Sequence, residues 1–373
     1  MQPGSESDLA EVIRGTKGPL RVRGGGTRPV GKPVTGEALS VAGLSGIDLY
    51  EPGALTIVVK AGTPLAEVEQ ALAAEGQRLP FEPMDHRGLL GSDGAPTIGG
   101  VVAANASGPR RIQAGACRDS LIGVRFVTGE GEIVKNGGRV MKNVTGYDLV
   151  KLMAGSYGTL GVLSEVSFKV LPAPDAAATL TIAGLDTAQA VRALSASLGS
   201  PFEVSGAAHL PATDGEARTL VRVEGLEAQV SYRTGKLTDL LRSYGPISVE
   251  TDPAQVARTW MQIRDVAPFA GVPGDVWRIS VKPSDGPGTA ARTGGQVMLD
   301  WGGGLIWALV PEGTDMRARL GAFGGHATLV RASEDTRAAQ AVFHPEPAPL
   351  AAISAGLRAR FDPRGILNPG LMA

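Results

Sequence analysis

The 373-residue chain has a single cysteine, Cys117. One thiol cannot form an internal disulfide, and it cannot hold a Cys₄ iron–sulfur cluster without help from another chain. If a redox centre here passes electrons on singly, the next carrier must sit on a different polypeptide. Histidine is scarce as well. His86, His209, His326 and His344 are the full set, and no two stand at metal-ligand spacing, so no metal site is expected. Neither sign of charge dominates, with 36 Lys+Arg against 37 Asp+Glu. Such a balance gives no long-range pull toward nucleic acid or an anionic membrane surface. No apolar run approaches the ~18–20 residues of a transmembrane helix. The polar N-terminus, from Met1 to Gly15, lacks the apolar stretch of a signal peptide. A cytoplasmic protein is expected, reaching a membrane only through partners.

Glycine, by contrast, is abundant, at 52 residues. Three glycine-rich segments fall within the first 170 residues. The first is Arg23-Gly24-Gly25-Gly26-Thr27. The second is Thr97-Ile98-Gly99-Gly100, followed by Asn105 and Gly108. The third runs from Gly146-Tyr147-Asp148-Leu149 into Gly155-Ser156-Tyr157-Gly158-Thr159-Leu160-Gly161-Val162. Glycine admits positive φ and lets a ligand approach the main chain closely. Successive N–H groups then form a nest for an anion such as a pyrophosphate. Each loop alone could be an ordinary tight turn. In this order, with strands and helix starts between them, they point to a large dinucleotide such as FAD. No G-x-G-x-x-G opens a helix after a strand, and no acidic residue follows at ribose-binding distance, which argues against NAD.

Length favours two domains. Residues 1–172 read as mixed α and β. Strands are expected at 20–23, 55–60, 121–128, 132–135 and 162–171. A helix capped by Thr63 should open at Pro64, end before Gly76, and carry the stripe Leu65, Val68 and Leu72. Thr97 should cap a short helix through Val102. Residues 173–345 carry helices capped at Asp186 and Asp252, with strands at 203–210, 217–224, 276–282, 296–300, 304–310 and 326–331. Their order resembles a ferredoxin-like plait extended by further units, and the recurrence within it falls short of a sequence repeat. Residues 346–373 end in the turn-rich Phe361–Gly370, expected to pack back on the first domain.

Met141-Lys142-Asn143-Val144-Thr145-Gly146-Tyr147-Asp148-Leu149, Gly155 to Val170, Trp277-Arg278-Ile279-Ser280, Asp300-Trp301-Gly302-Gly303, Gly324-Gly325-His326-Ala327-Thr328 and Asn368-Pro369-Gly370 together span the chain. They resemble the FAD-binding proteins of the vanillyl-alcohol-oxidase and p-cresol-methylhydroxylase (PCMH) type. The D-lactate and glycolate dehydrogenase branch fits best, and the second-half segments look like the FAD-binding subunit of bacterial glycolate oxidase. This resemblance implies an α+β fold: a PCMH-type FAD domain of two lobes and a ferredoxin-like cap. It implies FAD along Arg23, Gly24, Gly25, Gly26 and Thr27, along Thr97, Ile98, Gly99, Gly100, Asn105 and Gly108, and along Gly155, Ser156, Gly158, Thr159, Gly161 and Val162. A side chain at Gly25 would then face the pyrophosphate. No His or Cys stands in the first loop where some relatives link their flavin, so the FAD is expected to be noncovalent.

Free-standing relatives that oxidise 2-hydroxy acids carry a His-Gly-Asp-Gly-Asn metal run and a Glu-His-Gly base, and this chain has neither. No base for the hydroxyl proton and cation for the carboxylate can be picked out together. His326 is the residual catalytic candidate, against a reading in which its ring satisfies a packed interface. His86 reads as exposed and structural. Arg110 and Arg111 read equally as partners of an anion and as a solvated pair. The resemblance implies a glycolate- or D-lactate-oxidising complex at the inner membrane face. Its other members would be a homologous flavin subunit with the active site and an iron–sulfur subunit. The alternatives are a self-sufficient dehydrogenase and a non-catalytic scaffold.

Overall fold

The computed structural model describes residues 1–138, 146–212 and 215–373. Met141 to Thr145 of the family segment lie outside the described residues. The chain divides into two compact units, one of residues 1–107, 115–173 and 345–373, the other of residues 108–114 and 174–344.

In the first unit the chain opens with helix α1 (Glu6–Gly15), capped by Ser5. Strands β1 (Leu20–Arg23) and β2 (Glu37–Ser40) pair in parallel. Strands β3 (Ile47–Glu51), β4 (Thr56–Lys60), β6 (Leu121–Val127), β7 (Ile133–Gly137) and β8 (Val162–Lys169) form a five-stranded sheet in the order β3-β4-β8-β6-β7. The short pair β5 (Gln77–Arg78) and β9 (Leu171–Pro172) stands apart. Helix α2 (Leu65–Ala74) buries Leu65, Val68 and Leu72, the stripe its spacing predicts. Its first turn differs from expectation. Pro64 takes the cap position, and the Thr63 hydroxyl instead donates to the Lys60 and Gly46 carbonyls. Helix α3 (Ile98–Ala103) does carry a Thr97 cap, at 3.3 Å from the Gly100 N–H. Ile98, Val101 and Val102 sink into one core with Val68, Phe126 and Phe168. A second core joins Leu9 and Ile13 to Leu20, Leu39, Val162 and Leu367. Leu367 bridges Leu20 directly.

The second unit holds one eight-stranded sheet in the order β13-β10-β12-β11-β15-β16-β14-β17. These strands are β10 (Ala176–Ala183), β11 (Val204–Leu210), β12 (Arg218–Gly225), β13 (Ile247–Glu250), β14 (Asp275–Val281), β15 (Gln296–Asp300), β16 (Leu305–Val310) and β17 (Gly325–Arg331). Helix α4 (Thr187–Leu198) lies between β10 and β11, and helix α5 (Glu227–Leu241) between β12 and β13. The first module is therefore β-α-β-β-α-β, with β13 beside β10, β10 beside β12 and β12 beside β11. The second module repeats that order with helices Gly286–Thr293 and Met316–Leu320, as β17, β14, β16 and β15. Two ferredoxin-like plaits thus meet through β11 and β15, paired at His209 and Leu299. The further units expected beyond the first plait form a second plait of the same strand order. What recurs is strand order, which unrelated side chains can supply equally well.

Candidate functional site

The first unit carries a cleft of about 140 Å³ into which the glycine loops converge. Its lining includes Arg23, Gly24, Gly25, Gly26, Thr27, Thr97, Gly99, Gly100, Gly158, Gly161 and Val162. The loops hold each other by close backbone approach. A Cβ on Gly24 would lie 2.2 Å from Thr97 Oγ1, and one on Gly25 only 1.7 Å from the Ala95 carbonyl oxygen. The Gly25 side-chain position therefore faces Ala95, which corrects the expectation that it faces a pyrophosphate. Gly26 is the open position. Its φ is +72°, and a Cβ there would meet nothing within 4 Å. The N–H groups of Gly25, Gly26 and Thr27 donate to no group of the described chain.

Other expected residues support the cleft without lining it. Ile98 is fully buried, and its N–H donates to the Thr63 carbonyl at 3.0 Å, as that of Gly99 does to Ala61 at 2.8 Å. The start of α3 is thus satisfied by the protein itself and offers no free N–H at those two positions. Asn105 sits at φ +47° and accepts from the Arg118 N–H at 3.1 Å. Gly155 donates to the Val102 carbonyl at 3.0 Å. The Thr159 hydroxyl donates to the Ser156 carbonyl at 2.7 Å. The Ser156 hydroxyl is buried with no partner of its own. Gly108 belongs to the second unit, where its carbonyl accepts from Trp301 Nε1 at 3.1 Å.

Among the cleft residues outside the expected site are Arg28, Tyr157 and Asn368. Asn368 accepts from the Val22 N–H and donates to the Tyr157 carbonyl, each at 2.8 Å. It thereby ties the last turn to both the first and third loops. The turn formers around it were the available signal. Arg28 Nε donates to His86 Nδ1 at 3.1 Å and Nη2 to the Met84 carbonyl at 3.1 Å. His86 is thus part of an internal contact rather than the exposed loop residue its neighbours Asp85 and Arg87 suggest. Cys117 is fully buried, and burial raises its thiol pKa far above the usual range, so it is inert as a nucleophile.

In the second unit, Arg110 is 4 % exposed and bonded to Glu224 at 2.6 Å. It is neither solvated nor open to an anion. Arg111 and Arg278 lie over the Trp301 ring, at 4.5 and 5.0 Å from its centroid. His326 is exposed at the start of edge strand β17, paired with Ser280. Desolvation, then the positive neighbours Arg278, His344 and Arg111, lower its pKa. A neutral imidazole among cations can accept a proton, yet among the described residues no carboxylate is seen to orient it. Among the described residues no cluster of His, Cys, Asp and Glu is placed to hold a metal ion.

The FAD binding domain family matches residues 1–137. Glycolate oxidase subunit GlcE of Escherichia coli (strain K12) is 37% identical over 359 residues, 95% of this chain and 93% of that protein. The chain belongs to the PCMH-type FAD-binding flavoprotein family. D-lactate dehydrogenase of Anaerostipes hadrus is 33% identical over 184 residues, 48% of this chain but only 37% of that longer protein. The solved structure of alkyldihydroxyacetonephosphate synthase superposes with a TM-score of 0.71 at 16% identity, covering 99% of this chain and 76% of that one. It shares the fold.

FAD is the cofactor of this flavoprotein family, and the cleft residues fit it. The unengaged N–H groups of Gly25 to Thr27 are donors that a polyanionic dinucleotide can use, and the open face of Gly26 leaves it room to approach. Val22, Val41, Ala61 and Leu163 supply apolar wall in the same cleft.

Proposed function

We propose that this chain is the FAD-binding subunit of a complex that oxidises glycolate, or a closely related 2-hydroxy acid, to the 2-oxo acid. The observation that carries the proposal is identity to a glycolate oxidase subunit along nearly the whole of both chains. The cofactor is held without a covalent bond, a reading supported by a cleft lining with no His or Cys among the described residues. Gly24 to Thr27 and Gly158 to Val162 bracket it, and α3 with Thr97 forms the floor. When bound, FAD supplies the acceptor for the two electrons and the hydrogen of the alcohol carbon. The chain's own residues bind and orient it and exclude water from its phosphates.

Two features support a partnership. One cysteine cannot hold an iron–sulfur cluster, so a one-electron relay has to be provided by another subunit. Substrate chemistry needs a base and a carboxylate-binding cation, and a homologous flavin subunit with a complete metal-assisted site would bring both. No helix among the described residues is long and apolar enough to cross a membrane. Contact with the inner membrane face would then come through partners. The test is reconstitution. The purified chain should carry FAD yet turn over little glycolate with an artificial acceptor, and activity should appear on adding the flavin and iron–sulfur subunits. Turnover by the chain alone, lost on His326→Ala, would make it a self-sufficient dehydrogenase. A chain that binds no flavin would be a scaffold.

A further inference from the structure

Two arginines, Arg23 and Arg28, line the cleft; Arg23 is exposed to solvent, whereas Arg28 is partly buried and has no ion pair among the described residues. Arg28 follows the first glycine loop and lines the cleft beside Gly100. Two edges of its guanidinium are committed to neutral acceptors, Nε to His86 and Nη2 to the Met84 carbonyl. His86 Nδ1 stands between the Arg28 Nε donor and, at 3.2 Å, the Met84 carbonyl. The third edge is Nη1. It has no hydrogen-bond partner in the described chain and lies 3.5 Å from where a Cβ on Gly100 would stand. Asp85 is the carboxylate in the neighbouring sequence, but Arg87 grips it through the backbone N–H, Nε and Nη2, at 2.8–3.1 Å. No ion pair to Arg28 is found among the described residues. Desolvation lowers the pKa of the group, with Asp85 only partly offsetting it. A partly buried, desolvated cation in that position is costly unless an anion meets it.

We infer that Arg28, held in place by His86, is the counter-ion of the FAD pyrophosphate, closing with Nη1 the anion site whose neutral donors are the N–H groups of Gly25, Gly26 and Thr27. The pyrophosphate is the part of the dinucleotide that stays anionic in every redox state, and a permanent cation calls for a permanent partner. A guanidinium edge also matches phosphate oxygens geometrically better than an ammonium does. The inference rests on the FAD reading above and goes one residue beyond it.

Titration of the full-length apo chain with FAD, riboflavin and ADP, followed by fluorescence or calorimetry, tests it. Arg28→Met should weaken FAD by about 10–100-fold, the value of a charge-assisted hydrogen bond. ADP, which has the pyrophosphate but no flavin ring, should weaken in parallel, and riboflavin, which has the ring but no phosphate, should not change. If Arg28→Met fails to fold, Arg28→Lys gives the same readout. One ammonium cannot serve His86, Met84 and a phosphate together, so FAD and ADP should both weaken about tenfold. FAD and ADP affinities equal to wild type in the folded variant would overturn the inference. So would a loss shared by FAD and riboflavin with ADP unaffected, since that places the ring, not the phosphates, against Arg28. A wild-type chain that binds neither FAD nor ADP would overturn the FAD reading itself, an outcome distinct from either.

Discussion

Adjacent glycines in the first loop have opposite duties, and substitutions should separate them. Gly25→Ala drives a methyl into the Ala95 carbonyl, so the loop must move and FAD binding should be lost, read as absent flavin after gel filtration. Gly26→Ala meets open space but keeps φ near +72°, a left-handed conformation costing about 1 kcal/mol. The loop should survive with a small drop in thermal stability. A different residue-scale effect belongs to His209. It is fully buried, bonds Thr219 through Nδ1 at 3.0 Å, and is held neutral, with desolvation lowering its pKa to about 4. The sign follows from proton counting. Between the unfolded value of about 6.5 and about 4, the unfolded chain binds more protons, so stability falls as pH falls through that window. The contribution lost is about 3 kcal/mol by pH 4. Urea unfolding at pH 7 and pH 4 should show a smaller difference for His209→Leu than for wild type.

At the scale of elements, the ends of segments were more legible than their partners. Asp186 and Asp252 cap the helices their positions imply, because a cap is a contact between residues three apart. Strand β10 is not legible in the sequence, since its Ala176-Ala177-Ala178 start lacks β-branched bulk. Its pairing to β12 and β13 overrides that propensity. Helix α5 was also missed: Gly235 and four polar residues before it mask the stripe Val230, Thr234, Leu237 and Leu241. In the site, the glycine loops could be read, whereas Arg28 and Asn368 could not. Their roles depend on partners 56 to 346 residues away. Asn368→Leu should therefore act at a distance. Losing both its hydrogen bonds should cost about 2–4 kcal/mol and detach the last turn, with weaker FAD binding measured by titration. In the second unit, Glu224 lies between Arg110 at 2.6 Å and Arg222 at 3.3 Å, all three nearly inaccessible. Glu224→Leu leaves two buried cations and should destabilise by about 3–5 kcal/mol in urea unfolding.

Over the whole molecule, a glycine-built dinucleotide cleft is combined with a doubled plait, in a chain with one cysteine and no metal-ligand cluster among the described residues. That combination is what the proposal of a flavin subunit explains. A protein of this kind should hold its cofactor reversibly and depend on others for turnover. Acid precipitation should leave yellow flavin in the supernatant. The most direct measurement is an anaerobic spectral titration of the purified, flavin-loaded chain with glycolate, followed by addition of the partner subunits. About one FAD per chain is expected, with a flavin band that glycolate alone leaves unbleached. Turnover to an artificial acceptor should begin only when the partner subunits are added. Rapid bleaching of the isolated chain by glycolate, or a chain that never takes up FAD, would contradict it.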